Sequence, residues 1–146
     1  MVERKDELLQ ELISKSVWIG NAKEAENTSQ ILSLGISAMV CVAIEELPPP
    51  ITRDLIFCRF PLNDGSDNSV EVLRTAVDTI SKLINEKIPT FVYCGAGMSR
   101  SPVMAAAALS KVQGSDPDET LRTLFSDLPH DVSPQLWHDV KAACFQ

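Results

Sequence analysis

The run Thr90-Phe91-Val92-Tyr93 leads directly into Cys94-Gly95-Ala96-Gly97-Met98-Ser99-Arg100-Ser101. The chain then continues as Pro102 and the apolar stretch Val103-Met104-Ala105-Ala106-Ala107-Ala108-Leu109. The β-branched and aromatic run reads as a short buried strand. Serine followed by proline marks a helix start, with Ser101 near the N-cap and Pro102 at the first helical position. A loop held between the end of a strand and the start of a helix demands an α/β architecture, with the site at the carboxyl end of the strand. Successive backbone N–H groups in such a loop converge on one concavity, and the helix dipole adds positive potential there. The segment is an oxyanion site with a thiol at its base.

Each residue type in the loop has a chemical reason. The thiolate is the nucleophilic form of cysteine, and a helix N-terminus beside an arginine favours it. Arg100 carries a planar fork that matches two oxygens of a phosphoryl group, which a lysine point charge does not. Gly95 and Gly97 permit positive φ and close approach of the backbone to an anion. Ser101 has a hydroxyl that can donate to the sulfur and make it a better leaving group. The expected anion cradle is therefore Gly95, Ala96, Gly97, Met98, Ser99 and Arg100, with Cys94 beneath it.

Periodicity along the rest of the chain predicts alternating strands and helices. Asp6 to Ile13 reads as a short amphipathic helix, with Leu8, Leu9, Leu12 and Ile13 on one face. Val17 to Ile19 reads as a strand, and Ala22 to Leu34 as a helix closed by Gly35. Ile36 to Ala43 reads as a central strand and Leu55 to Phe60 as another. A helix from about Ser69 to Lys87 follows the polar loop Asn63-Asp64-Gly65-Ser66-Asp67-Asn68. Ile88 to Tyr93 is the strand before the loop, Pro102 to Val112 the helix after it. Asp118 to Leu128 and Pro134 to Cys144 are two further amphipathic helices. The expected fold class is α/β, a mainly parallel central sheet of four to five strands flanked by helices. No internal repeat or linker divides it, so residues 1–146 are expected to form one catalytic domain, residues 1–14 being a helical lead-in.

The loop and its surroundings resemble the dual-specificity branch of the cysteine-dependent protein phosphatases. Gly97 to Ser101 is similar to the ending of that family's signature loop. Val17-Trp18-Ile19-Gly20-Asn21-Ala22, Leu34-Gly35-Ile36 and Val40-Cys41-Val42-Ala43 resemble its opening strand, helix and second strand. Phe60-Pro61-Leu62-Asn63-Asp64 resembles the loop that carries its general acid. The likeness runs from Ser16 to Leu128, with an echo in Pro134-Gln135-Leu136. It implies hydrolysis of phosphomonoesters through a phosphocysteine on Cys94, with Arg100 holding the phosphoryl oxygens, Asp64 as general acid and Ser101 easing the departure of sulfur. One position departs from the pattern: Tyr93 stands where the family usually has histidine, which bears on how strongly the thiol is acidified.

Asp67 is the rival acid, although its place just ahead of Ser69 suits helix capping. A rhodanese-like sulfurtransferase, an arsenate reductase or a weakly active phospho-residue binding module would also use a loop cysteine at an anion site. The chemistry requires no metal and no organic cofactor. His130 and His138 have no thiol or carboxylate cluster around them, so a metal site is not expected. Cys41, Cys58 and Cys144 read as packing thiols, and Trp18 and Trp137 as core or groove walls.

A net charge of −7 disfavours polyanionic partners, so nucleic acid and anionic membrane surfaces are excluded. No stretch approaches the roughly 18 apolar residues needed to span a bilayer. Four cysteines without CxxC spacing suit a reducing compartment, hence a cytoplasmic expectation. The expected partner is a phosphorylated protein or a small phosphomonoester.

Overall fold

A computed structural model describes residues 9–52, 54–125 and 131–145. Its elements run β1 (Gln10–Ile13), β2 (Val17–Asn21), α1 (Ala22–Ala25), α2 (Thr28–Ser33), β3 (Ala38–Cys41) and β4 (Ile56–Arg59). There follow α3 (Val70–Asn85), β5 (Thr90–Cys94), α4 (Arg100–Gln113), α5 (Pro117–Phe125) and α6 (Pro134–Cys144). The five strands form one sheet in the order β1-β2-β5-β3-β4. β2, β5, β3 and β4 are mutually parallel, and only β1 joins antiparallel, at the edge. This is the mainly parallel, helix-flanked sheet expected from the sequence.

β5 lies in the middle, paired with β2 on one side and β3 on the other. Every residue of β3 and β5 is buried, as a central parallel strand requires. α3 and α4 pack on each other and on β5, while α1 lies against β2 and β5. In α3 the buried positions Leu73, Ala76, Val77, Ile80, Leu83 and Ile84 recur at helical spacing and form a single stripe. Each large member of that stripe contributes about 1.5–3 kcal/mol by leaving water. α4 is different: every residue from Arg100 to Ser110 is buried. Its run Ala105–Ala108 keeps the helix thin enough to be enclosed on all sides, and Gly114, in the left-handed conformation at φ 67°, stops it.

Several local expectations are corrected. Gln10–Ile13 is a strand, not part of a helical lead-in; Asp6 to Leu8 lie outside the described residues. The chain reverses over residues 14–16, where Lys15 takes φ 58° and the Ser16 N–H donates to the Ile13 carbonyl at 3.0 Å. That reversal lays β1 on the free edge of β2, and a short apolar run follows the partner it finds rather than its own periodicity. The segment Ala22 to Leu34 is two helices rather than one. Asn27 accepts the Gln30 N–H at 3.1 Å and caps a new helix in the middle of the run. α4 begins at Arg100 with Ser99 as its N-cap, so Ser101 and Pro102 sit inside the first turn. α3 is capped by Ser69, whose hydroxyl accepts from the Val72 N–H at 3.1 Å; Asp67 does not cap it. The last turn expected for α5, through Leu128, and His130 fall outside the described residues.

Candidate active site

The register Asn21↔Cys94 places the end of β2 beside the start of the signature loop. Asn21 accepts the Glu24 N–H and Glu24 accepts the Asn21 N–H, both at 2.8 Å, a reciprocal cap that fixes this end. The Ala22 N–H then donates to the Gly95 carbonyl at 3.2 Å. Gly97 takes φ 76°, and a Cβ there would stand 2.9 Å from the Gly20 backbone. Glycine is thus required at position 97 twice, by conformation and by space. Gly95 is not in the left-handed region as expected. Its missing side chain instead leaves room for the Glu45 carboxylate, which would lie 2.6 Å from a Cβ. From the far side, the Asp131 N–H donates to the Met98 carbonyl at 2.7 Å. The Ser133 N–H donates to Ser99 Oγ at 2.9 Å, which explains why the Ser99 side chain does not cap α4.

Cys94 is 2 % exposed, at the floor of the loop. Its Sγ accepts the Gly97 N–H at 3.2 Å and the Ser101 N–H at 3.4 Å. Cys94 Sγ donates to Ser101 Oγ at 3.4 Å, and the Ser101 hydroxyl donates to the Gly20 carbonyl at 3.4 Å. Two backbone N–H donors and the first turn of α4 thus converge on the sulfur. Burial pushes the thiols of Cys41, Cys58 and Cys144 up, and Cys41 donates to the Ala43 carbonyl at 3.8 Å.

Arg100 is 7 % exposed. Its Nη1 donates to Glu45 Oε1 at 2.7 Å and to the Leu62 carbonyl at 2.9 Å, and its Nη2 donates to Glu45 Oε2 at 2.5 Å. Nε is buried and has no hydrogen-bond partner. The Glu45 hydrogen bonds hold the guanidinium firmly charged against burial, with further help from Cys94 and Asp64. In return, Arg100 holds the Glu45 carboxyl below the usual carboxylate range.

Asp64 stands exposed in the loop after Leu62, whose own carbonyl binds Arg100. Asn68 closes that loop: its Oδ1 accepts the Asn63 N–H at 2.7 Å, and its Nδ2 donates to the Asn63 carbonyl at 2.9 Å. Asp67 is also exposed, takes φ 71°, and is not among the charges acting on Arg100. The structure therefore brings Cys94, Arg100, Ser101 and the loop backbone together, with Asp64 within electrostatic reach.

Tyr93 points to the opposite face of β5 from Cys94, because adjacent strand residues alternate. It stacks on Phe91 with ring centroids 5.4 Å apart, and its buried phenol lies beside the Cys41 thiol. Burial pushes the phenol far above its ordinary value, so it serves as packing under the loop. Trp18 is buried, and Trp137 donates from Nε1 to Asp118 Oδ1 at 2.7 Å, so both belong to the core. His138 is exposed. Among the described residues no group of His, Cys, Asp or Glu could hold a metal ion, and no helix is long and apolar enough to cross a membrane.

Glu45 and Asn68 were not singled out from the sequence. A signal for Glu45 exists there: it lies just beyond the carboxyl end of β3, the strand beside β5, where side chains rim the site. Asn68 carries only the general turn-forming signal of asparagine.

Comparisons with known proteins converge on one group. A family model described as "Polymorphic toxin system, DSP-PTPase phosphatase" matches residues 19–113. Dual specificity protein phosphatase 8 of Mus musculus is 26% identical over 119 residues, which cover 81% of this chain and 18% of that protein. Dual specificity protein phosphatase 1B of Arabidopsis thaliana is 29% identical over 103 residues, covering 70% of this chain and 61% of the relative. The chain thus spans less than two thirds of the length of either relative. Among solved structures, a mouse putative dual specificity phosphatase complexed with zinc tungstate is similar at TM-score 0.80 and 20% identity, over 92% of this chain and 85% of that one. Human DUSP28 is similar at TM-score 0.79 and 20% identity, over 93% and 94% of the two chains.

Proposed function

The chain belongs to the DSP-PTPase phosphatase family, and from that membership we propose that it hydrolyses phosphomonoesters on proteins through a phosphocysteine on Cys94. The observation that carries this reading is the Cys94 sulfur, held by the N–H groups of Gly97 and Ser101 beneath a loop that Arg100 borders. In the first step Cys94 Sγ attacks phosphorus in line, the S–P bond forms and the P–O bond to the leaving group breaks. Asp64 gives its proton to the departing oxygen. Loop N–H groups and Arg100 stabilise the equatorial oxygens, which carry the charge in the transition state. In the second step water attacks phosphorus, Asp64 takes its proton, and the S–P bond breaks with the Ser101 hydroxyl turned toward the leaving sulfur. Neither step calls for a metal or an organic cofactor.

Phosphotyrosine and phosphothreonine peptides, tested in the presence of a chelator, distinguish this reading from the other uses of a loop thiol. The expected result is steady release of phosphate from one or both peptides. Capture of the peptide without release would indicate a binding module. Sulfur transfer from thiosulfate to cyanide, or reduction of arsenate by added thiol, would replace the phosphatase reading with another chemistry. The phosphorylated protein acted on in the cell, and a cytoplasmic site of action, belong to the same proposal: the acidic chain and its lone loop cation suit a singly phosphorylated partner better than a polyanion.

A further inference from the structure

A guanidinium has five N–H donors in a fixed fork. In Arg100, Nη1 uses both of its hydrogens, on Glu45 Oε1 and the Leu62 carbonyl, and Nη2 uses one, on Glu45 Oε2. The donors that remain are Nε–H and the second hydrogen of Nη2. They point the same way within the guanidinium plane and form a second two-pronged edge. Nε is buried and has no partner. Leaving such a donor unpaired costs free energy, which an arriving acceptor would recover. We infer that Glu45 is a positioning residue: it grips the end of the Arg100 guanidinium so that the Nε–Nη2 edge is presented to the phosphoryl oxygens of the substrate. This rests on the phosphatase reading above.

Three further observations support the assignment. The grip is two-pronged, so it fixes rotation about the last bonds of the arginine side chain, which a single contact would not. The Leu62 carbonyl holds the same end of the fork from the strand side, in the segment that leads to Asp64. The absence of a side chain at Gly95 lets the carboxylate lie against the loop: a Cβ there would sit 2.6 Å from Glu45 Oε2. A carboxylate next to an anion site is electrostatically unfavourable for the anion. Its presence there makes sense when the geometry it imposes on Arg100 outweighs that repulsion.

The sign of the effect separates positioning from plain electrostatics and from obstruction. Glu45→Gln removes a negative charge beside the anion site, so charge alone predicts tighter binding of tungstate, and so does removal of a plug. Positioning predicts the reverse: tungstate affinity falls roughly 10- to 100-fold and kcat/KM for a phosphopeptide falls by a similar factor. Glu46→Gln, one residue away, removes the same charge without touching Arg100 and should leave both within about twofold of the parent. Glu45→Asp retains a carboxylate on a shorter stem and should recover part of the loss. The acid limb of the pH–rate profile should keep its place in Glu45→Gln, because Arg100 already holds the Glu45 carboxyl ionised below the usual range. Tungstate binding is read by calorimetry on variants whose thermal melting shows them folded. If Glu45→Gln does not fold, Glu45→Asp carries the decision alone, by the same direction of change. A parent that turns nothing over would defeat the phosphatase reading itself. An active parent whose folded Glu45→Gln or Glu45→Asp variant binds tungstate as well or better would overturn the positioning role.

Discussion

Cys94→Ser is expected to lower phosphopeptide turnover by more than about 10⁴-fold while leaving tungstate or phosphate binding in place. The loss follows from replacing the attacking sulfur, which accepts two backbone N–H groups at the start of a helix, by a hydroxyl, a far weaker nucleophile toward phosphorus. Binding survives because the N–H groups of the loop belong to the backbone and Arg100 is anchored by Glu45 and the Leu62 carbonyl, none of which involves the thiol. Comparing steady-state kinetics with calorimetric titration of tungstate separates the two effects. Turnover within tenfold of the parent would mean that another group attacks phosphorus. Loss of tungstate binding alongside turnover would mean that the substitution disturbed the loop.

Asp64→Asn is expected to slow hydrolysis of phosphotyrosine or an alkyl phosphate by roughly 10²–10⁴-fold. An acid matters most when the departing oxygen is a poor leaving group, so nitrophenyl phosphate should be affected less in the first step. The descending limb of the pH–rate profile should flatten, because the group that must carry a proton is gone. Asp67→Asn should behave nearly like the parent, for a reason the sequence did not show. Asp67 occupies φ 71° rather than a capping position, and asparagine tolerates that conformation as readily as aspartate. If the two variants exchange behaviour, the acid is Asp67. Of the two carboxylates, Asp64 is the one that acts on Arg100, and Asn68 holds the loop that bears it.

What was legible in the sequence is what is decided locally. The strand, the glycine-bearing loop and the following helix are contiguous, so Cys94, Arg100 and Ser101 could be read as a unit with their chemistry attached. The long helix expected from about Ser69 to Lys87 was equally readable and is α3, Val70–Asn85, because one helix carries the whole signal. The failures have a common cause in partners that are remote or that outcompete local preference. Gln10–Ile13 follows the free edge of β2, and nothing in four residues announces that edge. Asn27 was hidden inside a run that scans as one helix. Ser101 looked like a cap because serine before proline usually is one, but its hydroxyl is engaged with the Cys94 sulfur and the Gly20 carbonyl. Glu45 meets Arg100 across more than fifty residues of chain, through the adjacency of β3 and β5. The sequence places Glu45 just past a strand end, and the sheet order supplies the partner it meets there.

The phosphocysteine itself is the most direct object to measure. The active protein, mixed with a phosphotyrosine peptide and quenched in acid during turnover, should yield on digestion a peptide spanning Cys94 that carries one phosphoryl group on sulfur. That adduct should be labile to thiols and iodine and absent from Cys94→Ser. A phosphoryl group recovered on an aspartate or serine instead would contradict nucleophilic attack by Cys94. So would steady turnover in which no adduct forms even when Ser101→Ala is used to slow its breakdown.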